Sequence, residues 1–190
     1  NESAAFAVKI LISMIPIALV GIFLEDFIAE FFGGNVILVG SMLLVTGGLL
    51  AFTYFQKMTG KDITYGNAFL IGVAQAVAIM PGISRSGATI ATALLLQTDK
   101  SKAARFSFLM VLVPIIGAAG LKIREYIILK AEGTQFVISN TSLTAGFLAA
   151  FIFGYIACNW MIGIVKKGKL IYFAYYCIAV GIIAIVSQLV

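Results

Sequence analysis

The stretch Gly66-Asn67-Ala68-Phe69-Leu70-Ile71-Gly72-Val73-Ala74-Gln75-Ala76-Val77-Ala78-Ile79-Met80-Pro81-Gly82-Ile83-Ser84-Arg85-Ser86-Gly87-Ala88-Thr89, running on to Thr98, decides the fold. Two apolar arms flank Pro81-Gly82, and the break carries two serines, an arginine and, one turn later, a threonine. Neither arm crosses a bilayer alone. As helix, residues 66 to 80 reach roughly 22 Å and residues 86 to 97 roughly 18 Å, against roughly 30 Å of hydrocarbon. The pattern predicts a re-entrant hairpin of two half-helices over residues 66–98, with the turn Gly82 to Ser86 at membrane depth. Backbone polar groups are tolerated there only when buried in protein or lining a wet cavity. The turn therefore reads as a binding site.

The chemistry of the break favours an anion. Pro81 ends the first arm by removing a donor, Gly82 admits dihedrals that other residues resist, and Ser84 or Ser86 caps the second arm. A helix start offers unpaired N–H groups and partial positive charge. Arg85 adds a full charge and a planar fork of donors suited to phosphate oxygens, and Ser84, Ser86 and Thr89 add hydroxyls. The expected ligand is a phosphate or diphosphate. A plainer reading makes Pro-Gly a kink, the serines caps and Arg85 a cation reaching for an interface. That reading does not explain an arginine far from either arm end, since ionisable groups inside a membrane mark function.

Working outward, the other apolar runs are longer. Ala5 to Leu24, Asn35 to Tyr54, Ala103 to about Leu121, Thr141 to Val165 and Leu170 to Val190 read as five spans. Pro16 and Pro114 are tolerated kinks, and Gly40, Ser41, Thr46, Gly47 and Gly48 are small residues for helix packing. Glu25, Asp26 and Glu30, interleaved with phenylalanines, predict a short interfacial helix rather than a metal or acid–base pair. Lys122 to Asn140 reads as a polar connection. Trp160 and the cluster Tyr172, Tyr175 and Tyr176 suit the interfaces. Cys158 and Cys177 fall inside spans, so buried reduced thiols are expected, without a disulfide or metal framework.

Composition agrees: 62% of the 190 residues are hydrophobic and 11% charged, with mean hydropathy +1.09. These values describe one polytopic membrane domain over residues 1–190 with no separate soluble unit. The net charge of +5 is small and sided, which argues against nucleic acid. If the hairpin returns to the side it entered, Lys9, Lys57, Lys61, Lys100, Lys102, Arg105, Lys166, Lys167 and Lys169 share one face. The positive-inside rule puts that face in the cytoplasm. A single crossing by residues 66–97 would split the set.

Pro81-Gly82-Ile83-Ser84-Arg85-Ser86-Gly87-Ala88-Thr89 resembles the second signature, PGxSRSGxT, of the bacterial undecaprenyl-diphosphate phosphatases, the bacitracin-resistance family. Gly72-Val73-Ala74-Gln75-Ala76 and Ala103-Ala104-Arg105-Phe106-Ser107-Phe108-Leu109 are similar to the same family, and the likeness runs through all 190 residues. The resemblance implies an all-α multi-pass protein of the bacterial plasma membrane, part of an inverted-repeat fold with two re-entrant hairpins. It implies removal of the terminal phosphate of undecaprenyl diphosphate, which recycles the carrier lipid of cell-wall synthesis. Arg85 and Ser84 would act in the chemistry. Gly82, Ser84, Arg85, Ser86, Gly87, Thr89 and Gln75 would hold the diphosphate.

The family's first hairpin supplies acidic residues, a serine and a histidine, and a Mg²⁺ or Ca²⁺ ion would need those acids. This sequence has no histidine and no second Pro-x-Ser-Ser stretch. The expectation is a C-terminal portion of a longer protein, with the metal ligands elsewhere. Expected partners are the polyprenyl diphosphate and membrane lipids, with a homodimer as one possible assembly. Competing functions are a polyprenyl-phosphate transporter or flippase, which broken helices also serve, and a non-catalytic membrane subunit.

Overall fold

In the computed structural model, residues 2–23, 35–56, 59–131 and 139–188 are described, without the side chains of Lys130 and Asn140. They form seven α-helices: α1 Glu2–Phe23, α2 Val36–Tyr54, α3 Tyr65–Val77, α4 Arg85–Leu95, α5 Lys100–Ala131, α6 Asn140–Lys166 and α7 Ile171–Val186. Helices α1, α2, α5 and α6 are long and apolar enough to cross a membrane, and α3 and α7 are shorter apolar helices. Of the five expected spans, α7 alone falls short, its 16 residues covering roughly 24 Å. Its start is set by a tight turn in which Gly168 adopts φ +68°. There the Lys169 N–H donates to Ile164 O and the Gly168 N–H to Val165 O, the two bonds of a glycine-terminated helix end. The acidic run Glu25, Asp26 and Glu30 lies outside the described residues.

The broken helix has the expected form, with shorter arms. Thr64 caps α3 by accepting from the Asn67 N–H at 3.1 Å. The arm ends at Val77, four residues before Pro81, because the chain tightens into successive turns: Ile79 N–H bonds to Ala76 O and Met80 N–H to Val77 O. Both arms return to one end of the molecule. The Lys61 N–H donates to Gln97 O at 3.1 Å and the Asp99 N–H to Lys61 O at 3.2 Å, while Asp62 pairs with Lys102. These bonds tie the entry of α3 to the exit of α4, so the pair is a hairpin whose two ends lie together and not a single crossing. Gln97 sits at φ +63° to close α4, with its side-chain oxygen accepting from Lys61 Nζ at 2.9 Å.

Helix α4 is the centre of the core. Ile90 and Ala91 are fully buried, as are Ile71 of α3 and Ala103 and Phe106 of α5. Around them α1 packs on α3 and α5, and α2 packs on α4 and α7. Small residues permit the close crossings. At Gly72 a side chain would run into the Ser13 backbone, and Gly40 lies against the Gly181 carbonyl. Direct backbone approach of this kind is how helices associate where lipid supplies no hydrophobic drive.

Two expectations need correction. Residues 122–131 continue α5, giving a helix of 32 residues rather than a polar connection from Lys122. Lys122, Arg124 and Glu125 lie exposed along it, and Lys122 Nζ pairs with Glu125 at 2.7 Å, the i,i+3 spacing that supports a helix. Cys158 is exposed on α6, whereas Cys177 is buried; both are free. The reason is that α6 contacts only α5 among the helices and presents most of its apolar surface outward.

Candidate functional site: the turn between α3 and α4

Ser84 decides where α4 begins. Its φ of −69° and ψ of 111° are extended, and its Oγ accepts from the Gly87 N–H at 3.1 Å. Ser84, rather than Ser86, is therefore the cap, and Arg85 is the first helical residue. Gly82 makes the turn possible twice over: its φ is +94°, and a Cβ there would strike the Val39 carbonyl of α2.

Thr46 of α2 holds the turn from the side. It is 1% exposed, and its Oγ1 accepts from the Ser84 N–H at 3.3 Å while lying 3.0 Å from Met42 O, to which it donates. This residue escapes sequence reasoning, which assigns it to packing beside Gly47 and Gly48. The available signal is a hydroxyl in an otherwise apolar helix.

With the Ser84 and Gly87 N–H groups occupied, the N–H groups of Arg85 and Ser86 have no acceptor among the described residues. The Arg85 guanidinium likewise makes no ion pair among the described residues, and both Arg85 and Ser86 are half-buried. The turn thus gathers a full positive charge, two free backbone donors, two hydroxyls and the positive end of a helix. Such a set suits an anion with several oxygens. With 13 residues in α3 and 11 in α4, it lies roughly 16 to 20 Å from the clamped end, less than the roughly 30 Å thickness of a hydrocarbon core.

Gly82, Ser84, Arg85, Ser86 and Gly87 lie together at the turn and the start of α4. Thr89 is 1% exposed, and its hydroxyl donates back to Arg85 O at 3.0 Å, so the helix itself takes its proton. Gln75 lies on α3 one turn before the break, with no exposed surface and no partner for either amide atom among the described residues.

A divalent cation does not fit these residues. Among the described residues no three His, Cys, Asp or Glu side chains converge, and the turn offers a guanidinium and N–H donors where a hard cation needs oxygens.

The family model for the bacitracin resistance protein BacA matches residues 1–183. The chain belongs to the BacA family. Among its BacA relatives is an undecaprenyl-diphosphatase of Parabacteroides distasonis, 51% identical over 190 residues, covering all of this chain and 71% of the relative. Another, from Bacteroides fragilis, is 52% identical over 191 residues with the same coverage. An undecaprenyl-diphosphatase of Halothermothrix orenii is 40% identical over 191 residues, covering 98% of this chain and 71% of the relative. With four helices of membrane-spanning length and composition, this BacA chain is a multi-pass membrane protein.

Proposed function

We propose that this chain acts in the hydrolysis of undecaprenyl diphosphate to undecaprenyl phosphate and inorganic phosphate, in the bacterial plasma membrane. The family and its relatives support the reaction. The observation that carries the site is Arg85, half-buried at the closed end of the hairpin beside two free backbone donors.

The diphosphate docks against the start of α4. Arg85 places two parallel donors on the terminal phosphoryl group and offsets the charge that grows on its oxygens as the bond to the bridging oxygen breaks. The Arg85 and Ser86 N–H groups hold further oxygens, and the Ser84 and Ser86 hydroxyls orient them. Gly82 and Gly87 let the turn seat closely against α2, and Gln75 supplies an amide at the α3 side. The prenyl tail lies against the apolar outer faces of the helices. These groups position substrate and stabilise charge. No proton-transfer role is assigned to a residue of this chain.

The test is release of inorganic phosphate from undecaprenyl diphosphate by the intact protein in liposomes. Absence of release overturns the reaction. Undiminished release by Arg85→Ala overturns the site while leaving the reaction standing.

A further inference from the structure

A second polar cavity lies at the opposite end of the hairpin, where the basic residues gather. It encloses about 500 Å³ between α1, the loop before α3 and the start of α5, and its lining includes Lys9, Lys102, Arg105, Phe6 and Ile63. The whole of α3 separates it from Arg85.

Two of its cations are held without being neutralised. The Arg105 guanidinium stands over the Phe6 ring at 5.7 Å, and Lys9 Nζ over the Tyr65 ring at 5.5 Å. Neither makes an ion pair among the described residues. An aromatic face attracts a cation but removes none of its hydrogen-bond donors, so both remain available. Lys102 is tied to Asp62. With Glu2 also in the lining, three cations face two carboxylates and the cavity carries a net charge of +1. A lysine or arginine that merely snorkels extends its head into water. Here both lean on rings, and both cations line the one cavity.

We propose that this cavity binds a phosphate-bearing anion, either the headgroup of an anionic phospholipid or free inorganic phosphate. Its volume is that of a small-ligand site. Its mixture of cations with Phe6 and Ile63 matches a ligand with a charged head and an apolar root. Basic pockets between helices at the lysine-rich end of a membrane protein take anionic lipid heads in this way.

The experiment uses the intact protein in nanodiscs of phosphatidylcholine with or without phosphatidylglycerol, and native mass spectrometry to count phosphatidylglycerol molecules kept after dilution into neutral detergent. A second arm titrates inorganic phosphate calorimetrically. The Lys9→Gln, Arg105→Gln double variant loses roughly ten- to thirtyfold in affinity, as expected for two interfacial cations. Asp62→Asn frees Lys102 and tightens binding by about fivefold. Opposite responses of this kind for phosphatidylglycerol assign the lipid headgroup, and for phosphate alone assign the free ion. If neither ligand responds to either change, the proposal is overturned. Arg105→Lys stands in should the double variant not fold, with a smaller loss expected.

Discussion

Thr46 and Ser84 are thirty-eight residues apart in the chain, and a single hydrogen bond at 3.3 Å from the Ser84 N–H to Thr46 Oγ1 fixes the signature turn against α2. Because Thr46 is buried, its loss strands that N–H away from water, which costs about 1–3 kcal/mol. Thr46→Val keeps the shape and removes the acceptor. Turnover should fall roughly tenfold, with substrate affinity less affected, and Thr46→Ser should restore most of it. Steady-state phosphate release measures both, and unchanged kcat in the valine variant would show that the turn is held by other means.

Arg85 should not tolerate lysine. A lysine keeps the charge but loses the planar fork, and a charge-assisted hydrogen bond contributes about 1.5–3 kcal/mol. Arg85→Lys should therefore lower kcat/KM roughly ten- to hundredfold, and Arg85→Ala further. Rescue of the alanine variant by added guanidinium, which restores donors without the tether, distinguishes a missing contact from a misfolded turn. No rescue together with a lowered melting temperature would point to misfolding.

The hairpin is legible in the sequence because Pro81-Gly82 interrupts apolar arms too short to span, and because Lys61, Lys100 and Lys102 demand that both ends return to one side. Clamping of Lys61 to Gln97 and Asp99 is the physical form of that demand. The choice of Ser84 over Ser86 as cap is not legible, since either serine has the chemistry; contact with Thr46 from a separate helix selects it. The Thr89 hydroxyl, one turn from Ser86, looks free in sequence, whereas inside the helix it bonds the preceding turn. The run from Lys122 looks like a connection by polarity alone, yet a helix that leaves the bilayer carries charges without breaking.

Gly82 should be the least replaceable residue of the turn. Its φ of +94° disfavours any side chain, at a cost of about 1–3 kcal/mol, and Gly82→Ala adds a collision with the Val39 carbonyl of α2. The variant should lose thermal stability as well as activity, in contrast with Arg85→Ala, which removes only a half-buried side chain. Thermal unfolding in detergent separates the two, and a Gly82→Ala protein that melts like the wild type would contradict the geometry of the turn.

Gln75 offers the sharpest separation of structure from function. A buried amide with neither atom partnered costs about 1–3 kcal/mol, so in a purely structural role Gln75→Leu would stabilise the protein and leave turnover alone. If the amide instead meets the diphosphate, the same change should raise the melting temperature by a few degrees while lowering turnover at least several-fold, because the favourable contact exists only with substrate bound. Gln75→Glu tests the charge: an added carboxylate near the phosphates should weaken binding further. Measuring melting temperature, kcat and KM on all three proteins decides the matter, since stabilisation with full activity in the leucine variant removes Gln75 from the site.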